Sequence, residues 1–390
     1  MKYTTVFITA CLALVQAAPL VYHTPGHELI PDSYIVVLKH GVSAKSFKPK
    51  FDAIARRQNK RGVKSKIHRQ YTAMHGFHAS LNKAALRELQ DSDDVAYIEQ
   101  DAVVRINAEQ AGPSSWGLTR VSERNLDLSQ PYVYANDAGE GVTAYVIDTG
   151  VYTEHSDFEG RATFGANFIY GSKDTDENGH GTHVAGTIGG ATYGVAKKVN
   201  IVGVKVLDAE GNGPTSSVVA GMDWVARNAK AGKSVVNMSL GGGRSWAIDD
   251  AAGRLFRANI PLIVAAGNDE YANACDRSPS GAPNTFTVAA SDYTDTTAYF
   301  TSFGSCVDIF APGVDIVSAW IGSSHSFNTI SGTSMATPHV VGVAASYLSQ
   351  GSFDTVQELF DRLSSTATLD KIQGDLNGSP NKLVYNGGAA

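Results

Sequence analysis

With 390 residues, 43% of them hydrophobic and 18% charged, the chain has ordinary globular composition and is long enough for a sizeable core and more than one domain. A formal net charge of −6, with no basic stripe interleaved with aromatic residues, argues against nucleic acid as a partner. Beyond the first residues no run approaches the roughly 18 apolar residues that a membrane span needs, which argues against an integral membrane protein.

Residues Met1 to Ala17 place Lys2 before an apolar stretch, Val6 to Val15, and end in the small-residue site Val15-Gln16-Ala17. This is the pattern of a secretory signal, so the product is expected outside the cell. Cys11 would leave with it, and Cys275 and Cys306 would remain as an even pair in an oxidising compartment. That pairing reads as a disulfide, with two free buried thiols as the alternative. Between Pro19 and Asn107, Ser33 to Leu38 alternates as a strand and Ser43 to Arg57 has helical spacing. Gly76 to Leu81 is strand-like, Lys83 to Gln90 helical, and Val95 to Glu99 and Val103 to Ile106 read as two closing strands. This segment holds 14 Lys/Arg against 9 Asp/Glu, a net of +5, whereas residues from Ala108 onward hold 17 against 29, a net of −12. The opposite signs favour association of the two halves. The stretch Asn107 to Ser115 is small, polar and Pro/Gly-bearing, and marks a junction.

After the junction, near-continuous apolar runs at Val142 to Ile147, Val199 to Leu207, Ser234 to Met238, Leu262 to Ala266 and Phe286 to Ala290 alternate with helical segments, among them Thr215 to Lys230 and Ser245 to Asn259. Unbroken Val/Ile/Ala strands imply burial on both faces, hence an α/β fold with a doubly wound parallel sheet flanked by helices. In such sheets the active site lies beyond the carboxyl ends of the strands. Asp148 directly follows one of these runs, and Asn268 stands two residues past another.

A carboxylate emerging from a buried strand, as Asp148 does before Thr149-Gly150, needs a partner, and an imidazole would serve. His180 supplies one within Gly179-His180-Gly181-Thr182-His183, at the start of a helix of small residues. A metal site built on His180 and His183 lacks neighbouring Cys, Asp or Glu ligands, so no catalytic metal is expected and His183 reads as structural. Ser334, in Gly332-Thr333-Ser334-Met335-Ala336-Thr337-Pro338-His339, precedes a helix running to about Tyr347, with Pro338 near its first turn. By itself it could be a simple helix cap; with a base and a third group to orient that base, it is a candidate nucleophile. Asn268 could donate its side-chain N–H to an oxyanion beside the backbone N–H of Ser334. An aspartic peptidase is the rival enzyme, but its two carboxylates would call for a second Asp-Thr-Gly, which is absent. A catalytically silent binding protein of the same fold is the other alternative.

The order Asp148, His180, Ser334 is that of subtilisin, and these segments together resemble the subtilisin-like serine peptidases, closest to the proteinase K branch. The likeness extends over nearly the whole chain from Ser33. It implies a signal peptide at 1–17, a propeptide at 18–107 with a small α+β ferredoxin-like inhibitor domain at about 33–107, and a catalytic domain at 108–390. It implies Asp148, His180 and Ser334 as the triad and Asn268 as the oxyanion residue of a serine endopeptidase acting as a monomer. Ser239, Leu240, Gly241 and Gly242 resemble the family's substrate-binding edge strand, and Gly211, Asn212 and Gly213 begin the strand opposite. An extended polypeptide between them would gain strand-like hydrogen bonds. The side-chain pocket between Ser239 to Gly242 and Ala265, Ala266 and Gly267 is small and apolar without an acid, implying broad cleavage after aromatic and aliphatic residues. Thr215 stands where close relatives often carry a pocket-covering tyrosine, which loosens selection there. The end of the propeptide, Val104 to Asn107, would occupy the cleft as an inhibitor until cut before Ala108. The resemblance also implies structural calcium, with the carbonyls of Pro283 and Thr285 and the Asp308 carboxylate matching one site. The Cys275 and Cys306 pair departs from the cysteine pattern of proteinase K. Two glycosylation sequons occur, one at Asn377, weakened by Pro380, and one at Asn237, a poor acceptor on the substrate strand.

Overall fold

The computed structural model describes residues 18–21, 29–58, 64–105, 109–110 and 115–387. The expected signal segment and the expected cut after Asn107 lie outside the described residues. The N-terminal unit runs β1 (Leu20–Val21), β2 (Leu29–Leu38), α1 (Ala44–Gln58), β3 (Lys66–Tyr71), β4 (Gly76–Ser80), α2 (Lys83–Gln90) and β5 (Val95–Arg105), in sheet order β1-β5-β2-β4-β3. Leaving β1 aside, this is the βαββαβ order of a ferredoxin-like sheet. Alternation along β2 divides its work. Val36 and Leu38 pack with Phe47, Phe51 and Phe77 beneath the unit's own helices, whereas Ile35 and Val37 join Tyr71 and Met74 in a core shared with the rest of the chain.

That remainder continues through β6 (Glu109–Gln110), α3 (Gly117–Ser122), β7 (Thr143–Asp148), β8 (Ala162–Asn167), α4 (His180–Gly189), β9 (Asn200–Lys205), β10 (Asn212–Pro214), α5 (Thr215–Asn228), β11 (Ser234–Met238) and β12 (Gly242–Gly243). It closes with α6 (Trp246–Arg257), β13 (Leu262–Ala265), β14 (Arg277–Ser278), β15 (Phe286–Ser291), β16 (Ile309–Pro312), β17 (Ile316–Ala319), β18 (Phe327–Ser331), α7 (Thr333–Gln350), α8 (Val356–Thr366), β19 (Thr368–Leu369) and β20 (Lys382–Leu383). A nine-stranded sheet has the order β19-β20-β16-β15-β13-β11-β7-β9-β8, parallel throughout except for the β19/β20 edge. Helices α4 and α7 cover one face through Val184, Ile188, Val340 and Val341. On the other, Val218, Met222, Ile248 and Leu255 of α5 and α6 pack on Ile147, Val236 and Val264. From β7 the chain builds first to one side and then to the other, which opens a crevice at the carboxyl end of β7.

Three elements differ from the sequence reading. The two closing strands are one, because Gln100 and Asp101 are not a turn: the Asp101 carboxylate accepts from the Ser216 N–H at 2.7 Å and the Ser33 hydroxyl at 2.9 Å, and β5 runs through. Strand β3 was not foreseen, since its face is largely exposed and Lys66-Ile67-His68-Arg69-Gln70-Tyr71 lacks apolar alternation; its ladder with β4 defines it. Helix α7 begins at Thr333, so Pro338 lies inside it rather than in its first turn. Pro338 has no N–H to return to the carbonyl of Ser334, four residues back, and that carbonyl instead accepts from the Ser239 hydroxyl at 2.8 Å.

Cys275 and Cys306 are joined in a disulfide across a sequence separation of 31. Closing a loop of that size contributes about 3 to 4 kcal/mol in the chain-entropy description. We expect Cys275→Ser to lower the denaturant midpoint of the full-length chain under oxidising conditions, and to match the unsubstituted chain once reductant is added.

Candidate active site

The crevice is built from the ends of buried elements. Asp148 closes β7, and His180 opens α4, whose approach is fixed by Asp176. The Asp176 carboxylate accepts from the N–H groups of Asn178 at 3.0 Å, Gly179 at 2.9 Å and Thr182 at 2.9 Å, and from the hydroxyls of Thr149 at 2.9 Å and Thr182 at 2.6 Å. It thus caps the helix N-terminus and ties it to the turn after Asp148. Gly181 is required there, because a Cβ would lie 2.0 Å from the Gly150 carbonyl oxygen. The result is a contact of 2.8 Å between His180 Nδ1 and Asp148 Oδ1, with both side chains buried. The Thr149 N–H donates to the same Oδ1 at 2.7 Å. His180 Nε2 is buried and has no hydrogen-bond partner.

Ser334 lies in the first turn of α7, and its hydroxyl donates to the Ser239 carbonyl at 3.0 Å rather than to His180. Asn268 is oriented by Thr333, whose N–H and hydroxyl both donate to Asn268 Oδ1, at 2.8 and 2.7 Å. Because a backbone N–H can only donate, the amide oxygen must face Thr333, and Nδ2 is left as the free donor end. His183 is buried with Nε2 at 2.9 Å from the Ile316 carbonyl, and burial pushes it down to about 3, which holds it neutral and structural.

Leu240, Gly241, Gly242, Ala265, Ala266 and Gly267 line a cavity of about 30 Å³ beside Ser334 and Asn268. No acid lines it; Arg277 does, paired with Asp269 at 2.6 Å. Ser239 departs from the reading as part of an edge strand: the strand there covers only Gly242–Gly243, paired with Arg277–Ser278, and Ser239 is fully buried beneath α7. On the other side, Gly211 turns the chain with φ +78° into β10, which pairs antiparallel with β5: Asn212 with Arg105, Gly213 with Val104 and Pro214 with Val103. Gly213 is fixed by space, since a Cβ would lie 2.2 Å from the Val206 carbonyl oxygen. Thr215 Oγ1 donates to the Ala102 carbonyl at 2.9 Å, so Thr215 is itself a docking contact. Thr333, Asp176 and Ser239 are the residues that sequence reasoning missed in these roles. Only Thr333, next to the candidate nucleophile, carried a positional hint.

The Subtilase family pattern matches residues 139–383, and that of Peptidase inhibitor I9 matches residues 33–107. The chain belongs to the subtilase family. It is a subtilisin-like serine endopeptidase with an inhibitor-type propeptide. Subtilisin-like protease 2 of Pseudogymnoascus destructans is 46% identical over 396 residues, covering 98% of each chain. A cuticle-degrading serine protease of Arthrobotrys oligospora is 44% identical over 92% of this chain and 91% of its own. Among solved structures, a cold-adapted subtilisin-like serine proteinase is 50% identical with a TM-score of 0.67, covering 70% of this chain and 99% of that one. Fervidolysin from Fervidobacterium pennivorans, 22% identical with a TM-score of 0.78 over 95% of this chain and 62% of its own, shares the fold.

The propeptide of this subtilase docks through carboxylates. Glu99 is fully buried where the Ser245 hydroxyl and the Ala247 N–H donate to it at the N-terminus of α6, while Asp101 caps α5. Burial pushes Glu99 up to about 8, with the two donors opposing that rise, and pushes Asp101 up as well. A carboxyl raised in the folded state binds its proton more tightly there, so the precursor loses stability as pH rises from the ordinary value of 4.5 to about 8. His78, pushed down to about 4 by burial, acts with the opposite sign, but only below its ordinary 6.5. Between pH 6.5 and 8 Glu99 acts without that opposition. In that window we expect the thermal midpoint of an inactive precursor to fall by about 2 to 4 °C more than that of its Glu99→Gln counterpart; parallel curves in a pH series of melts would contradict this.

Proposed function

We propose that this subtilase is a secreted endopeptidase, made as a self-processing precursor, in which Ser334 is the nucleophile, His180 the base, Asp148 its orienting partner and Asn268 the oxyanion donor. What supports this is the convergence of a buried His180–Asp148 hydrogen bond at 2.8 Å with Ser334 and Asn268 on the same crevice, into which β5 of the propeptide leads along β10. With Asp148 at Nδ1, the imidazole proton sits on Nδ1 and Nε2 carries the lone pair. Ser334 Oγ attacks the scissile carbonyl carbon as its proton passes to Nε2. The oxyanion receives Asn268 Nδ2 and the Ser334 N–H, a first-turn amide that lacks an intrahelical acceptor. The Nε2 proton then passes to the leaving amine, and water repeats the sequence on the acyl-enzyme.

Residues 18–107 act as inhibitor and folding aid, released by cleavage after Asn107, and the catalytic part at 108–390 works as a monomer on extended polypeptides. Gly211, Asn212 and Gly213 form one wall of the cleft, and Leu240 to Gly242 with Ala265 to Gly267 the side-chain pocket. The Arg277 lining and the lack of an acid oppose Lys or Arg before the cut and favour broad cleavage after aromatic and aliphatic residues. Of the two sequons, Asn377 is the exposed one and would carry glycan, whereas Asn237 is fully buried. We expect Ser334→Ala to abolish both processing after Asn107 and casein cleavage, read by mass spectrometry and by gel. Asn268→Ala should lower kcat by about two to three orders of magnitude, the effect of removing one oxyanion donor in subtilisin. Processing that survives Ser334→Ala would remove the serine from the mechanism.

We place structural calcium, as the family resemblance implies, at the carbonyls of Pro283 and Thr285 with the Asp308 carboxylate. Among the described residues no group of three or more His, Cys, Asp or Glu side chains is arranged to hold a metal, which leaves carbonyl oxygens with a single carboxylate. Asp308 is the acid of that set, with one oxygen accepting from the Thr287 N–H at 2.7 Å, and burial pushes it up to about 6. A cation and a proton compete for the other oxygen. Calcium should therefore slow thermal inactivation more at pH 7.5 than at pH 5, and Asp308→Asn should remove the difference between calcium and chelator in half-life measurements.

A further inference from the structure

Across the strand pair from Asp148 lies a buried cation. Lys205 ends β9 in register with Asp148 at the end of β7, and its side chain is fully buried. Its Nζ donates to the carbonyls of Thr149 at 2.7 Å and Leu207 at 2.9 Å. Thr149 is the joint of the site: its N–H donates to Asp148 Oδ1 at 2.7 Å, its hydroxyl donates to Asp176 at 2.9 Å, and the Gly181 N–H donates to that hydroxyl at 2.9 Å. Lys205 is therefore connected, through one residue, to both the strand end that carries Asp148 and the helix that carries His180.

Charge gives the same residue a second task. Asp148 and Asp176 are both buried, and Asp148 Oδ2 has no hydrogen-bond donor. Two carboxylates in such a place need a counter-charge. Burial lowers the Lys205 ammonium from its ordinary value, and Asp176, Glu177, Asp208 and Asp148 pull it back up, in that order. Glu177 and Asp208 are only half-buried, so solvent screens them more than the other two. His183, on the next turn of α4, is held neutral by burial. The fully enclosed charges are thus Asp148, Asp176 and Lys205, with His180 joining them when it takes the serine proton.

We infer that Lys205 is a positioning residue of the triad, which balances the charge of Asp148 and Asp176 and fixes the turn at Thr149 so that His180 meets Asp148. The inference rests on the reading of His180 as the base. Removing the ammonium leaves two carboxylates uncompensated beside the imidazole and favours the imidazolium, so the acid limb of activity moves to higher pH. Lys205 is buried below the cleft, so KM is untouched and the loss falls on kcat.

The test uses Lys205→Met and Lys205→Gln in the full-length chain, each also combined with Ser334→Ala. In the matured enzymes, kcat near neutral pH should fall about tenfold with KM unchanged, and the acid limb of kcat/KM should rise by about one pH unit. In the Ser334→Ala precursors, the pH midpoint of the His180 ring resonance should rise by a similar amount. If neither the limb nor the midpoint moves, the assignment is overturned. If the midpoint moves and the limb does not, Lys205 keeps its role and the reading of His180 as the base fails. If neither variant yields a folded precursor by circular dichroism, Lys205 is a scaffold residue and the positioning role is overturned.

Discussion

A carboxylate at the carboxyl end of a strand buried on both faces cannot be left to solvent, and the architecture around Asp148 follows from that constraint. One oxygen is taken by His180 Nδ1 and the Thr149 N–H. To deliver the imidazole, α4 must start within one turn of the strand end. That start depends on Asp176 as cap and on glycine at position 181, where any side chain would meet the Gly150 carbonyl. The doubly wound sheet supplies the remaining requirement: the chain reverses direction about β7, so the crevice lies where β7, β11 and β13 end and where α7 brings Ser334.

The unpaired N–H groups of helix N-termini are used twice more, between the propeptide and the rest of the chain. Glu99 and Asp101, separated by one residue on β5, point the same way by strand alternation and meet the first turns of α6 and α5. The opposite net charges of the two halves, evident in the sequence, favour their encounter. Yet the contacts that fix register are made by acids of the basic half. Beyond Asp101 the strand continues along β10, so docking of the two carboxylates and placement of the chain in the cleft are set by one rigid element.

The sequence carried the alternation of buried strands and helices because each buries a continuous apolar face, and it marked Asp148, His180, Ser334 and Asn268 as candidates because their neighbours are small residues in recognisable order. It did not carry β3, whose outward face has no apolar signature and which exists because β4 offers a ladder. Nor did it carry the work of Asp176, Thr333, Ser239 and Lys205. Each of these acts through hydrogen bonds to residues distant in sequence or on another element, and an isolated Asp, Thr, Ser or Lys gives no periodic pattern. Pro338 is intermediate: its presence was plain, but its use depends on Ser239, 95 residues before Ser334.

That last pair explains how the proposed nucleophile can sit in a helix without being immobilised by it. Ordinarily the carbonyl of Ser334 would bond the N–H four residues on; Pro338 removes that donor, and the Ser239 hydroxyl replaces it while the Ser239 carbonyl accepts the Ser334 hydroxyl. Ser334 is held by Ser239 at both its carbonyl and its hydroxyl. In the proposed mechanism only the second bond must be exchanged for proton transfer to the unpartnered Nε2 of His180, while the first keeps the backbone of Ser334 in place. The helix is thus broken electronically at one carbonyl but not geometrically, and the substituted bond comes from the strand end that leads into the side-chain pocket.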